Sequence, residues 1–295
     1  MRKLNIVVLF ICVCLIWGST WFAMEIAVQA MSSPMVNALR FAIASPIVIL
    51  IAKFYGKPLL FPIGTRRWMV PISLAYFTIP FTLMTYGELY ISPGLSAIIF
   101  SLMPLAIMAI SRLFTPIYLS KMSIGGLLLS IVCLSLIIKF ESNFSQTNYA
   151  YIGVISLISA LSLHAIVYVA SRHKLKDINV LTFNALPALF ASFTLFLFSC
   201  INNIDNLSNV TLYSISAIIY LALIGSVIGI IAYCRLNQLV LSFTASLCFL
   251  IFPLVSLFIS TIIEENMISP PSLLVLPVYL FGIFLIIKSQ QEVSS

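Results

Sequence analysis

The chain has 295 residues, of which 62% are hydrophobic and 8% are charged, and it contains 22 phenylalanines. A water-soluble domain of this length cannot bury so much apolar surface in one core, so the composition excludes an ordinary soluble protein and indicates a chain whose main solvent is lipid. The net charge is +7, and the distribution of the basic residues carries more information than their sum.

Long apolar runs follow one another along the chain. A bilayer core about 30 Å thick needs a helix of roughly 20 apolar residues, because a helix rises about 1.5 Å per residue. The first run continues past Trp17 without a small-residue cleavage pattern, so we interpret it as a retained span and not as a signal peptide. Hydropathy predicts an all-α membrane protein with ten transmembrane helices, at about 4–26, 34–52, 68–88, 93–113, 121–139, 149–170, 179–200, 211–234, 240–262 and 270–288.

Basic residues alternate between the predicted connections. One of the two sets of connections contains only Lys139. Acidic residues show the reverse bias and lie on or near that side: Glu25, Glu88, Glu141, Asp205, Glu264 and Glu265. By the positive-inside rule both termini are cytoplasmic. A patch for an acidic partner is the alternative, but the alternation favours orientation signals, and we expect no nucleic-acid partner. The other set, with the N-terminus, holds Arg2, Lys3, Lys53, Lys57, Arg66, Arg67, Arg112, Lys121, Arg172, Lys174, Lys176, Arg235 and Lys288.

The two halves of the chain contain similar stretches. The stretch 96–111 matches 245–260 at a constant offset, which places Pro104 on Pro253 and Phe100 on Phe249. Because each half holds five spans, the second copy enters the membrane in the opposite sense. The sequence thus predicts two inverted five-helix repeats, 1–140 and 147–289, within a single membrane domain. Such an architecture is typical of transporters; duplication without transport is the alternative.

Short motifs along the whole chain carry a family resemblance. They are Trp17-Gly18-Ser19-Thr20, Arg40-Phe41, Tyr90-Ile91-Ser92-Pro93-Gly94, Gly125-Gly126, and Pro253-Leu254-Val255-Ser256 followed by Glu264. In this order the sequence resembles the drug/metabolite transporter superfamily, specifically the ten-helix EamA-type exporters of bacteria. The resemblance implies a multi-pass protein of the bacterial inner membrane that exports a small metabolite or drug-like compound, driven by a gradient and not by ATP. Two departures are Glu25, where the family often has a basic residue, and 112–116, where it often has a Gly-Glu pair.

Two charged residues are predicted to lie in the outer half of the membrane. Glu25 comes near the end of the outward-running first span, and Arg40 comes about six residues into the second. A charged side chain there costs a few kcal/mol unless it pairs, snorkels or faces water. We expect Glu25 and Arg40 to form a gate or a substrate-binding ion pair, while a structural ion pair or two independent interfacial residues are the alternatives.

Other candidate substrate-binding residues are polar or aromatic side chains within the spans. His164 is suited to proton coupling or to a hydrogen bond with substrate, although an imidazole bonded to a helix carbonyl is the alternative. An aromatic-lined cavity suits planar or cationic molecules, whereas an interfacial aromatic belt and helix-packing contacts are the alternatives for these side chains. Pro104 and Pro253 are predicted hinges, because each removes a helix hydrogen bond. The remaining candidates are Trp17, Trp21, Tyr76, Tyr86, Tyr168, Asn37, Ser96, Ser226 and Ser246.

Other function classes lack their motifs. The sequence contains no HExxH, GxSxG or GxxxxGK[ST] pattern and no aspartate within a predicted span. We therefore predict that the chain is not an enzyme and binds no cofactor or metal; an intramembrane lipid-modifying enzyme, a channel or a scaffold remain the alternatives. The expected partners are a small-molecule substrate, a coupling proton and the lipid bilayer, with the chain acting as a monomer or a homodimer.

Overall fold

The computed structural model describes residues 2–91, 93–111, 113, 120–141, 149–175, 177–202, 209–240, 242–263 and 269–294. Within these ranges every long element is a helix and no β-strand occurs, which confirms the predicted all-α class. Five charged residues used above to predict topology lie outside the described ranges: Arg112, Lys176, Asp205, Glu264 and Glu265.

Ten helical runs follow one another, one for each predicted span, and we label them in chain order. Six of them are long and apolar enough to cross a membrane, and the other four contain shorter apolar stretches. The runs are α1 (Arg2–Ala30), α2 (Ser33–Phe54), α3 (Ile63–Gly87), α4 (Pro93–Ser101 and Met103–Ser111), α5 (Lys121–Glu141), α6 (Ala150–Lys174), α7 (Val180–Ile201), α8 (Leu212–Leu239), α9 (Ser242–Ser246 and Cys248–Ile263) and α10 (Pro270–Ser294).

Polar residues determine where several helices begin. The Ser32 hydroxyl accepts a hydrogen bond from the Met35 amide at the start of α2, at 3.3 Å. The Asn179 side chain does the same for the Leu181 amide at the start of α7, at 2.9 Å. These caps satisfy amides that have no partner within the helix. Ser32 and Asn179 are separated along the chain by nearly the same number of residues as the two similar stretches of sequence.

The third and eighth helices contain wide turns of the π type. In α3 the π-helix covers Ser73–Thr78, and in α8 it covers Leu221–Ile230. A π-helical turn holds an extra residue, so it changes the direction of the side chains on either side of it, and such turns are frequent at functional sites. Tyr76 and Ser226, two of the candidate residues, lie in these two segments.

Helices pack in a pattern that stays the same when the two halves are exchanged. α2 packs against α7, and α5 against α10. α1 packs against α8 and α9, just as α6 packs against α3 and α4. Glycines permit the closest of these approaches: a β-carbon at Gly126 in α5 would lie 2.6 Å from the carbonyl oxygen of Gly282 in α10.

The two predicted hinge prolines have different surroundings. α4 is interrupted at Leu102, two residues before Pro104, whereas α9 is interrupted at Leu247, six residues before Pro253. Pro253 itself lies inside the uninterrupted helix Cys248–Ile263. The hinge role of both residues stays a prediction.

Candidate functional site

A cavity of about 60 Å³ lies in the interior of the bundle. Its walls come from both halves, with side chains of α1 to α4 facing side chains of α6, α8 and α9. Five of the residues singled out in the sequence line it together: Trp17, Trp21, Arg40, Tyr76 and His164. We call this space the central cavity.

Arg40 supplies the positive charge of the central cavity. The side chain is 3% exposed, and its Nε donates a hydrogen bond of 2.7 Å to the Ser226 hydroxyl in the π-helix of α8. The guanidinium carbon lies 4.6 Å from the centre of the Phe81 ring, a cation–π distance. Gly225 leaves room for the guanidinium, because a β-carbon there would lie 3.3 Å from Nη2. The Nη1 group is buried, and the described residues give it no hydrogen-bond acceptor.

His164 completes the polar part of the cavity. Its ring centre lies 5.1 Å from that of Tyr76 and 5.3 Å from that of Phe81. The imidazole is close enough to Arg40 for the charge of the guanidinium to act on it. Its Nε2 atom is buried and has no hydrogen-bond partner in the described part of the chain. Arg40 and His164, each with one buried nitrogen that has no partner among the described residues, therefore line the same cavity.

The two tryptophans form aromatic walls. The Trp17 ring centre lies 4.6 Å from that of Tyr233 and 5.4 Å from that of Phe249. Trp21 is 2% exposed, with its ring centre 5.1 Å from that of Phe100, so an interfacial belt does not describe its position. Gly229 allows the indole of Trp17 to approach α8, because a β-carbon there would lie 2.9 Å from Nε1.

A second cavity of about 280 Å³, which we call the vestibule, opens near one end of the bundle. At this end, which we call the basic end, α2, α6 and α8 finish close to Lys53, Lys174 and Arg235. Tyr76 lines both this vestibule and the central cavity, so the two spaces adjoin. Tyr168 lines the vestibule and not the central cavity.

The vestibule also has lining residues that were not predicted from the sequence. Asn237 and Gln238 contribute amides, and Ser171 contributes a hydroxyl. The sequence feature that could have identified these residues is the polar end of α8, where the segment from Arg235 to Gln238 interrupts an otherwise apolar run.

Four other candidates lie away from the central cavity. Asn37 donates hydrogen bonds to the Phe81 carbonyl at 3.1 Å and to the Thr85 hydroxyl at 2.9 Å, so it joins α2 to α3. Tyr86 is partly exposed at the end opposite the basic end, and its hydroxyl bonds that of Tyr90. Ser96 and Ser246 are fully buried in α4 and α9.

Glu25 and Arg40 were predicted to form an ion pair or gate. Arg40 contacts Ser226 and Phe81, whereas the charge of Glu25 acts on the carboxyl group of Glu88. Their pairing stays a prediction. Glu88 was predicted only as an acid near the outer side, yet the structure buries it to 7% exposure.

Known proteins resemble this chain over nearly its whole length. The profile of the EamA-like transporter family matches residues 4–139 and 151–288. Protein PagO of Salmonella typhimurium is 40% identical over 97% of this chain and 93% of its own length. A protein described as an uncharacterized transporter in Buchnera aphidicola subsp. Schizaphis graminum is 36% identical over 91% of this chain and 89% of its own length.

The fold also has a solved counterpart. A crystal structure covers 100% of both chains with a TM-score of 0.78 at 12% sequence identity, which shows a shared fold. The family match and the identities above confirm the resemblance noted in the sequence. With its ten apolar helices and its two family-matched segments, the chain belongs to the EamA-like transporter family of multi-pass membrane proteins.

Proposed function

We propose that the chain is a secondary active transporter that exports a small metabolite or drug-like compound across the bacterial inner membrane by alternating access. The observation that carries this proposal is the convergence of Arg40 and His164, each with an unused nitrogen, on one aromatic-walled cavity between the two halves. A purely structural role for a buried guanidinium would lead us to expect acceptors for all of its donors, because an unsatisfied buried polar group is destabilising.

The chemistry of the cavity suits an amphipathic substrate. Arg40 and His164 can bind a carboxylate or another hydrogen-bond acceptor, and the rings of Trp17, Trp21 and Phe100 can stack on a planar or apolar body. Amino-acid-, nucleobase- and cofactor-like compounds all combine these two parts.

The packing of the helices supports a mechanism with two inverted repeats, approximately 1–140 and 147–289. Exchange of the halves preserves the helix contacts, and the corresponding helices α3 and α8 both carry a π-helix beside the central cavity. In inverted-repeat transporters, one half moves against the other around a site near the middle of the membrane. The vestibule then represents access from the cytoplasm, since the positive-inside rule assigns the basic end to that side.

The size of the central cavity fits a contracted state. A volume of about 60 Å³ holds only a few waters, whereas the adjoining vestibule of about 280 Å³ is large enough for part of a metabolite. We expect the substrate to enter through the vestibule and to widen the central cavity by displacing aromatic side chains, Tyr76 first.

Counterflow in proteoliposomes tests the proposal. A metabolite panel is screened with the unaltered chain, and any transported compound is then measured with Arg40→Ala, Arg40→Lys and His164→Ala. Loss of a hydrogen bond to a charged group costs about 1.5–3 kcal/mol, so Arg40→Ala is expected to lower the apparent affinity about 10- to 100-fold. Arg40→Lys is expected to retain part of it.

Two outcomes contradict the proposal in different ways. If a compound is transported and none of the three variants changes the rate or the affinity, the site assignment is wrong. If the panel shows chemical turnover but no gradient-driven flux, the transporter mechanism is wrong and an intramembrane enzyme is favoured.

A further inference from the structure

Two acidic side chains lie directly beyond the central cavity, at the end opposite the vestibule. Met24 and Met84 line the cavity there. Glu25 follows Met24 in α1, and Glu88 lies one helical turn beyond Met84, at the end of α3. The two residues therefore lie further along α1 and α3 than the residues that line the central cavity, towards the end opposite the vestibule.

Glu88 is buried without a partner that would stabilise its charge. The residue is 7% exposed, and neither of its carboxyl oxygens has a hydrogen-bond partner among the residues that the structure describes. Glu25, half-buried on α1, is close enough for its charge to act on Glu88. A buried carboxylate is costly without a counter-charge, and a second carboxylate nearby increases the cost.

Among the titratable groups that the structure describes around this end, none forms a hydrogen bond with the Glu88 carboxyl group, and Lys139, the basic residue predicted on this side, is exposed on α5. The hydroxyl groups of Tyr86 and Tyr90, at the end of α3, form a hydrogen bond with each other. Tyr151 of α6 is a near electrostatic neighbour of Tyr90. Residues 93–111 contain no titratable side chain. Arg40 of α2 lies against Phe81, about two helical turns deeper than Glu88.

We propose that Glu88, together with Glu25, forms a proton-binding site, and that a proton bound there stabilises the state in which this end of the transport path is closed. The inference rests on the proposed function, because it takes this end to be the outer one. In the closed state the Glu88 carboxyl group is buried beside the half-buried Glu25, and a proton on Glu88 replaces the partner that its oxygens lack among the described residues. When this end opens, water hydrates both groups and the proton leaves for the outer solution. Closure and proton uptake are thereby linked.

The experiment measures the opening of this end without a substrate. In the full-length chain with all six native cysteines replaced, Met84→Cys places a thiol beneath the acidic pair. Its rate of modification by a membrane-impermeant thiol reagent is followed in right-side-out vesicles as the outside pH is varied. The reference is a protein that carries both Met84→Cys and Glu88→Gln. Its modification rate still varies with the ionisation of the thiol but no longer with the protonation of residue 88.

Proton binding is read from the modification rate of the Met84→Cys protein divided by that of the protein with both Met84→Cys and Glu88→Gln. Glu88→Gln resembles the protonated carboxyl group, so the ratio is expected to be near one at acidic pH and to rise at alkaline pH, by up to about tenfold per pH unit for one linked proton. Glu88→Asp, which retains a carboxyl group, is expected to keep the pH dependence. Asp177→Asn, which removes an exposed carboxyl group at the basic end, is expected to behave like the unaltered background.

Three results would overturn the site. One is a ratio that does not change with pH, and another is an equal effect of Asp177→Asn. The third is a ratio that follows the concentration of Na⁺ and not pH, which would indicate a metal cation as the ligand. A pH-independent ratio combined with measurable counterflow removes the proton site and leaves the transporter, whereas a pH-dependent ratio without flux supports the proton site and removes the transporter.

Discussion

At the scale of single residues, the environment of Arg40 shows how a cation is kept inside a membrane protein. Desolvation of the guanidinium is offset by one short hydrogen bond to Ser226 and by the face of the Phe81 ring. Neither contact uses Nη1. The hydrogen bond therefore orients the guanidinium through Nε and leaves Nη1 without a partner among the described residues.

Removal of the Ser226 hydroxyl tests this orientation. Ser226→Ala leaves the Arg40 Nε without its acceptor, which is expected to lower the free energy of unfolding by about 1–3 kcal/mol and to weaken the binding of a transported compound. Thermal unfolding in detergent and counterflow affinity measure the two effects. Ser45→Ala is the matched control, because Ser45 is a fully buried serine of α2 whose hydroxyl has no partner within the described ranges. Equal effects of the two substitutions would contradict the orienting role of Ser226.

At the scale of helices, the first span is positioned by the motif in which its tryptophan occurs. Gly18 brings α1 against α9, since a β-carbon at Gly18 would lie 2.5 Å from the Val255 β-carbon and 2.8 Å from the Phe252 carbonyl oxygen. The neighbouring Ser19 hydroxyl bonds the Tyr220 hydroxyl of α8 at 2.6 Å. The motif thus fixes α1 against two helices of the second half, with Trp17 directed into the space between them.

A methyl group at Gly18 is predicted to separate α1 from α9. Gly18→Ala is expected to destabilise the protein by about 1–3 kcal/mol, the usual cost of overpacking, and to change the surroundings of Trp17. The melting temperature and tryptophan fluorescence of the purified protein report these effects. Gly125→Ala is the control, because nothing lies within 4 Å of a β-carbon built there. A Gly18→Ala protein as stable as the Gly125→Ala protein would disprove the close approach.

The sequence is sufficient to predict where most of these helices lie along the chain, but it says less about which helices pack against each other. Hydropathy identifies all ten because each is a continuous apolar run, and Arg40, His164 and Trp17 are recognisable as polar or large residues within such runs. The partners of a helix depend on surface shape, which hydropathy does not encode. Asn37 was therefore predicted to bind substrate, although its side chain forms hydrogen bonds that hold α2 against α3. The π-helices of α3 and α8 were not predicted for the same reason, because their sequences are ordinary apolar runs.

At the scale of the whole molecule, the vestibule connects the interior with the basic end. Polar groups of the vestibule lead from the basic end to Tyr76, and Tyr76 adjoins the central cavity. Towards the opposite end, Met24 and Met84 line the cavity, and Glu25 and Glu88 follow them along α1 and α3. Under the proposed orientation, which puts the basic end in the cytoplasm, the vestibule would face inward.

Cysteine accessibility measures this orientation. In a cysteine-free background, Ser171→Cys in the vestibule is expected to react with an impermeant thiol reagent in inside-out vesicles alone, because water reaches the vestibule from the basic end. Gln29→Cys, at an exposed position at the opposite end of α1, is expected to react in right-side-out vesicles alone. The reverse pattern would invert the assigned topology, and failure of Ser171→Cys to react from either side would exclude an open vestibule.

The correspondence between α1 and α6 has a consequence for the state that the structure does not show. Trp17 and His164 are 164 − 17 = 147 residues apart, close to the separation of Pro104 and Pro253, and at this offset the vestibule residues Tyr168, Ser171 and Leu175 of α6 align with Trp21, Met24 and Val28 of α1. If the halves exchange conformations, the exit passage follows this side of α1. Under the proposed mechanism, one passage would then contain the Ser171 hydroxyl where the other contains the Met24 thioether. This difference would affect how fast a compound enters and leaves on each side, whereas the gradient would set the direction of net transport.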